Sequence, residues 1–213
     1  MEEQLKLKTG DGVNLSALFV SSTNQTNTVV LLLHQLRRDK TIWRNLMKKL
    51  SENGKSSLAF DFRGHGQSGG GNWQDFSEED FTNFMKDVET GAKALREKFP
   101  SAEMALIGSS IGANLALNYG AKNNVSSVVL LSPGIDYRGI KIEEAASGFT
   151  KPLFMVASTD DSNESVDAVN RIQEIIQTPQ DQLKVITYDQ GGHGVNLFIV
   201  HTELVDQIVQ WVI

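Results

Sequence analysis

Six short, nearly continuous apolar runs constrain this chain more than any other feature: Val29 to Leu33, Ser57 to Phe60, Met104 to Ile107, Val128 to Leu131, Leu153 to Ala157 and Leu183 to Ile186. Runs of this length are too short for buried helices and lack the alternation of a half-wet strand, so they read as strands covered on both faces of a mainly parallel sheet. Segments with helical spacing lie between them, roughly Thr41 to Asn53, Glu78 to Phe99 before Pro100, Ile111 to Lys122, Glu164 to Gln177 before Pro179, and Thr202 to Val212. Strand and helix in alternation imply right-handed βαβ crossovers and a three-layer α/β/α sandwich. Ahead of this region, Leu5 and Leu7, then Val13, Leu15, Ala17 and Phe19, alternate with polar residues around Thr9-Gly10-Asp11-Gly12. That pattern predicts an antiparallel hairpin with one wet face, at an edge rather than in the core.

At 213 residues with 40% hydrophobic content, the chain is long enough for one substantial core, and the expectation is a single domain over residues 1–213. Twenty basic against 26 acidic side chains leave a net charge of -6, which weakens attraction to phosphate backbones and anionic surfaces, so nucleic acid is not an expected partner. With no cysteine, disulfides, thiolate metal sites and a Cys nucleophile are excluded. The start, Met1-Glu2-Glu3-Gln4, lacks a basic and an apolar leader region, and no apolar stretch is long enough to span a bilayer, so a soluble, cytoplasmic protein is expected.

Gly-x-Ser-x-Gly occurs twice, as Gly66-Gln67-Ser68-Gly69-Gly70 and as Gly108-Ser109-Ser110-Ile111-Gly112. The pattern carries nucleophile chemistry only where a buried strand runs into it and a helix leaves it, because that sharp turn exposes the serine at the sheet's carboxyl edge. Ser110 meets this condition, with Ala102 to Ile107 entering and Ala113 to Tyr119 leaving; Ser68 does not, since glycines follow it. The plainer role for Ser110 is a helix N-cap. Ile111, opening the helix, would aim its backbone N–H at a developing oxyanion.

A serine hydroxyl needs an imidazole to take its proton, and that imidazole needs an acid to orient it. Of four histidines, His34 ends a buried strand, His65 lies in a glycine-rich turn and His201 starts the terminal helix. His193 follows the last strand in Gly191-Gly192-His193-Gly194, and it comes after Ser110 and after a candidate acid. Asp160 and Asp161 both follow the strand Leu153 to Ala157, at the edge where catalytic groups gather. Asp161 is preferred, being one step further along the loop; Asp160 and then Asp136 are the alternatives, and capping the helix near Glu164 is the plainer role for either of the first two.

These residues, together with Leu32-Leu33-His34-Gln35, Asp61-Phe62-Arg63-Gly64-His65-Gly66-Gln67-Ser68, Leu131-Ser132-Pro133-Gly134 and Asn196-Leu197-Phe198, resemble α/β-hydrolases of the small carboxylesterase and dienelactone-hydrolase-like kind, over about residues 29 to 198. The resemblance implies an eight-stranded, mostly parallel sheet. It implies Leu36, two residues past His34, as the second oxyanion N–H, and gives His34, His65 and Ser68 structural places in the family's turns. Gln35 stands where the family more often has glycine, so it either narrows the acyl pocket or supplies a hydrogen bond. Dienelactone hydrolases use a Cys nucleophile, which this chain lacks, so the implied activity is that of the serine esterases. Only Ser132 to Lys151 separates two core strands where many relatives insert a helical cap, which leaves room for one short helix over Glu143 to Gly148 and implies an open site for short acyl groups or large, partly exposed substrates.

The expected function is therefore hydrolysis of a small-molecule ester through an acyl-enzyme, with Ser110, Asp161 and His193 as triad and no metal or organic cofactor. Gln35, Tyr137 and Leu197 are the expected pocket residues, whereas Trp73 reads as a surface-loop anchor. Acyl transfer or perhydrolysis at the same triad is the rival within enzymes, and a binding protein on a hydrolase scaffold the rival outside them.

Overall fold

The computed structural model describes residues 2–22, 24, 27–161 and 164–212. In chain order the strands are β1 (Glu2–Lys8), β2 (Asn14–Val20), β3 (Thr28–Leu33), β4 (Ser56–Phe60), β5 (Glu103–Ser109), β6 (Ser127–Leu131), β7 (Asp136–Tyr137), β8 (Ile140–Lys141), β9 (Leu153–Ser158) and β10 (Leu183–Tyr188). The helices are α1 (Arg44–Glu52), α2 (Glu78–Thr82), α3 (Phe84–Lys98), α4 (Ile111–Lys122), α5 (Glu143–Ser147), α6 (Glu164–Ile175), α7 (Leu197–Val200) and α8 (Glu203–Trp211). Eight strands form one sheet in the order β1-β2-β4-β3-β5-β6-β9-β10, and β7 and β8 make a separate two-stranded hairpin. Pairing is antiparallel for β1–β2 and β2–β4 and parallel everywhere else in the large sheet.

Successive side chains on a strand point to opposite faces, so a strand covered twice must be apolar at every position. The two cores divide the runs accordingly. Val29, Leu31 and Leu33 join Leu106, Leu130 and Met155 beneath α3, α4 and α6, while Val30 and Leu32 join Ile107, Leu131 and Val156 beneath α1 and α8. This is the three-layer sandwich the apolar runs imply.

The ends of the sheet depart from expectation. β1 is wet, but β2 is not an edge: Leu15, Ala17, Leu18 and Phe19 are buried, because β4 pairs on its far side and helices cover both of its faces. Conversely β10, read as doubly buried, is half-buried along most of its length because it is the last strand in the order. The segment expected as one helix over Glu78 to Phe99 is two helices, α2 and α3, broken at Asn83. Thr41 to Asn53 opens with a 3-10 turn over Lys40–Trp43 before α1 begins.

Strand order places the crevice. β3 leads through α1 on one face toward β4, and β5 leads through α4 on the other face toward β6, although β3 and β5 are hydrogen-bonded neighbours. Their outgoing loops therefore part at the carboxyl edge, which is where such sheets bind ligands.

Candidate active site

Ser110 sits at that parting. It has φ 56° and ψ -124°, the left-handed side of the map where a non-glycine residue is strained by about 1–3 kcal/mol. The strain is held from outside: the Ser110 N–H donates to the Leu131 carbonyl of β6 at 2.8 Å, and its own carbonyl accepts from Ala113 at 2.8 Å. Glycine is needed on either side. A Cβ on Gly108 would overlap the Gly112 carbonyl, and one on Gly112 would overlap the Leu33 carbonyl, so the start of α4 lies pressed on β5 and β3. The Ser110 side chain makes no capping hydrogen bond, so the N-cap role is not what its hydroxyl does. Ile111 is the first residue of α4, and its N–H is among the amides a helix leaves without an intrahelical partner.

Leu36 is oriented indirectly. The Phe62 N–H donates to His34 Nε2 at 2.9 Å, so the ring proton is on Nδ1, which donates to the Gln35 carbonyl at 2.8 Å. Full burial pushes the His34 pKa down to about 4 and keeps the ring neutral near pH 7. There is no cis peptide among the described residues, and across a trans peptide C=O and N–H point in opposite directions, so turning the Gln35 carbonyl toward His34 turns the Leu36 N–H away from it.

His193 and Asp161 meet: Nδ1 lies 2.6 Å from Asp161 Oδ2. Partial burial would raise the Asp161 pKa, but hydrogen bonds from His193 and Ser165 (2.7 Å), with a further pull from the Ser132 hydroxyl, hold it below the ordinary carboxylate value. Asp160 does something else. Its carboxylate accepts from the backbone of Gly192 at 2.8 Å and Gly191 at 3.1 Å and from Ser158 Oγ at 2.5 Å, and these bonds keep its pKa low. Asp136 is engaged elsewhere, accepting from the Gly139 N–H in its own turn.

The His193 loop is fastened to three other loops. Besides Asp160 after β9, Ser132 Oγ after β6 accepts from the Gly194 N–H at 2.9 Å, and Gln35 Oε1 after β3 accepts from the Val195 N–H at 3.1 Å and from Ser109 Oγ at 2.8 Å. Gln35 thus supplies hydrogen bonds, the second of its two expected roles. Gly194 has φ 62°, and a Cβ there would overlap Gln35 Oε1 and Ser109 Oγ. Leu197 does not line a pocket: it is fully buried in the α1/α8 core, because α7 turns that face inward. Tyr137 is at the site, its ring edge-on to His193 with centroids 6.3 Å apart. Burial pushes its pKa up to about 12 despite the Ser165 and Ser110 hydroxyls, which act on it as hydrogen-bonding neighbours. Trp73 stacks on His65 at 5.2 Å, as a loop anchor would.

Ser132, Ser165 and Asn114 were not singled out from the sequence as site residues. Ser132 and Ser165 each touch Asp161 or the His193 loop; for Ser132 the available signal was a polar residue directly after a buried strand, and for Ser165 there was none. Among the described residues no three His, Asp or Glu side chains converge as a metal-ligand set, and no helix is long and apolar enough to cross a membrane.

Comparisons with known proteins follow the same lines. The family model for serine aminopeptidase, S33, matches residues 24–183, which include Ser110 and Asp161 and end before His193. The monoacylglycerol lipase of Mycolicibacterium smegmatis is 25% identical over 158 residues, a match spanning 70% of this chain and 52% of that protein, so the chain spans about half the length of that curated relative. Among solved structures, the esterase Pf2001 of Pyrococcus furiosus superposes with a TM-score of 0.80 at 21% identity, covering 99% of this chain and 91% of that one. XC6422 of Xanthomonas campestris, described as a serine hydrolase without lid, superposes with a TM-score of 0.75 at 17% identity, covering 99% and 95%.

Proposed function

The chain belongs to the serine aminopeptidase S33 family of α/β-hydrolases, and from that premise we propose that it hydrolyses small carboxylic esters through an acyl-enzyme on Ser110, as one domain over residues 1–213. Ser110 Oγ attacks the ester carbonyl while His193 takes its proton. Asp161 holds the imidazole in the tautomer whose Nδ1–H it accepts and stabilises the imidazolium that forms. The N–H groups of Leu36 and Ile111 receive the oxyanion. His193 then returns the proton to the leaving alcohol, and water hydrolyses the acyl-enzyme by the same steps in reverse. No metal or organic cofactor enters, and the cysteine-free composition suits a cytoplasmic setting.

The observation that carries this reading is the strained Ser110 turn, whose hydroxyl caps nothing, on the same sheet edge as a His193–Asp161 pair 2.6 Å apart. Strain kept at a sequence-marked residue points to use of that residue. Ester cleavage is favoured over peptide cleavage by the relatives, which are named as lipases and esterases. The test is rapid mixing with excess p-nitrophenyl acetate. A burst of nitrophenol close to one per enzyme, followed by steady turnover, is expected; no turnover would reject the reading, and a product diverted by added alcohol or peroxide would assign acyl transfer or perhydrolysis instead.

A further inference from the structure

Gln35 lies between His34 and Leu36 on the loop that leaves β3, and it is 7% exposed. A side-chain amide buried to that degree has to be paired, and its Oε1 is paired with two other loops at once. It accepts from Ser109 Oγ at 2.8 Å and from the Val195 N–H at 3.1 Å. Both partners stand beside the proposed chemistry. Ser109 is the residue before Ser110, Val195 is two residues past His193, and Gln35 is itself the residue before Leu36. One oxygen atom therefore joins the neighbours of the proposed nucleophile, base and second oxyanion donor. Only the oxygen of the amide suits this place, because the Val195 N–H needs an acceptor. The fit is close: Ser109 is fully buried, and Gly194, at φ 62°, has no room for a Cβ beside Gln35 Oε1 and Ser109 Oγ.

The other fastenings of the His193 loop run to the opposite side of the site. Gly191 and Gly192 bond Asp160, His193 bonds Asp161, and Gly194 bonds Ser132, all on the loops after β6 and β9. Among the described residues, the hydrogen bond that ties residues 191–195 to the β3 loop is the one from Val195 to Gln35. On the β3 loop, His34 and Gln35 divide the work. By holding the Gln35 carbonyl, His34 fixes which way the 35–36 peptide is turned. The Gln35 side chain fixes where that peptide stands relative to Ser110 and His193. The far end of the loop is anchored separately, the Lys40 N–H and ammonium both bonding Asp61 at 2.8 Å.

We propose that Gln35 is a positioning residue, whose side-chain oxygen holds the Leu36 N–H in register with Ser110 and His193 so that the oxyanion site is already formed in the resting protein. This deepens the acyl-enzyme reading and rests on it. Gln35 acts through Leu36, Ser109 and Val195 and needs no contact with substrate. Acylation and deacylation both pass through an oxyanion, so misplacing Leu36 slows both steps together and leaves ground-state binding alone.

The test compares wild type, Gln35→Met, which keeps the length of the side chain without its acceptor, and Gln35→Gly, the residue commoner at this position in the family. kcat and KM for p-nitrophenyl acetate are measured per folded molecule, together with Ki for butylboronic acid, which forms a tetrahedral adduct on a reactive serine. Both variants should lose on the order of 10- to 100-fold in kcat, with KM within about threefold and Ki rising by a similar factor to the loss in kcat. Ser109→Ala should lower kcat by itself, yet add little in the Gln35→Met background, because both changes break the same link. Wild-type kcat in both Gln35 variants, a loss carried by KM, an unchanged Ki, or additive losses with Ser109→Ala would each overturn the positioning role while leaving the acyl-enzyme reading standing. Wild type that turns over no ester overturns both.

Discussion

The chain holds the same pentapeptide pattern in two places, and the two serines are employed in opposite ways. Ser68 spends its hydroxyl twice: it donates to the Asp61 carbonyl at 2.6 Å and accepts the Ser16 N–H at 2.9 Å, so it stitches β2 to the end of β4. Ser110 caps nothing, yet its backbone is bent to φ 56° and held there by β6 and by the glycines around it. A serine that completes a scaffold is saturated and relaxed. Ser110, the proposed nucleophile, is strained, and its hydroxyl faces the Tyr137 phenol instead of capping its helix.

Mutation sharpens this contrast most where the effect is largest. Ser110→Ala should lower kcat/KM for a short p-nitrophenyl ester on the order of 10³-fold or more, while Ser68→Ala stays within about threefold per folded molecule. Comparable losses in both would erase the distinction. The two adjacent aspartates repeat it on a smaller scale. Asp161→Asn should cost on the order of 10²-fold in kcat with little change in KM, since only Asp161 touches the imidazole. Asp160→Asn, which loosens the Gly191 and Gly192 amides, should cost about tenfold or less; the reverse order would exchange their roles.

Stability effects come next. His34 joins the two regions, accepting from Phe62 beside the Ser68 turn and donating to Gln35 beside the Ser110 site. Its pKa is about 4 when folded against 6.5 as a free group, so below pH 6.5 the unfolded chain binds a proton that the native state refuses. The stability present above pH 6.5 is lost as pH falls toward 4. Between pH 7 and 5 the loss should be about 2 kcal/mol greater in wild type than in His34→Gln, read from urea midpoints. Parallel curves would contradict a buried neutral His34. The smallest expected effect is that of Ser68→Ala, about 1 kcal/mol of stability from the Ser16 amide left without its acceptor.

Much of this was legible in the chain. Continuous apolar runs announce a doubly covered strand because both faces are core, and strand-to-helix context separates Ser110 from Ser68 in the sequence alone. Failures came where burial depends on a distant neighbour: β10 reads like a central strand although it is the last in the sheet order, and β2 reads like an edge although β4 pairs on its far side. Leu197 looked available because its loop neighbours His193, but which face of α7 turns inward is decided by the α1/α8 core. The His193–Asp161 contact was anticipated from order along the chain. The fastening of the His193 loop by Ser132, Gln35 and Asp160 was not, because it joins residues from four loops that only the folded sheet brings together.

The measurement that bears most directly on the central claim is fluorophosphonate labelling of the folded protein, followed by intact-mass analysis and peptide mapping. One adduct per chain, on the peptide carrying Ser110 and suppressed by Ser110→Ala but not by Ser68→Ala, is the predicted result. An adduct on Ser68, or none on folded protein, would contradict it.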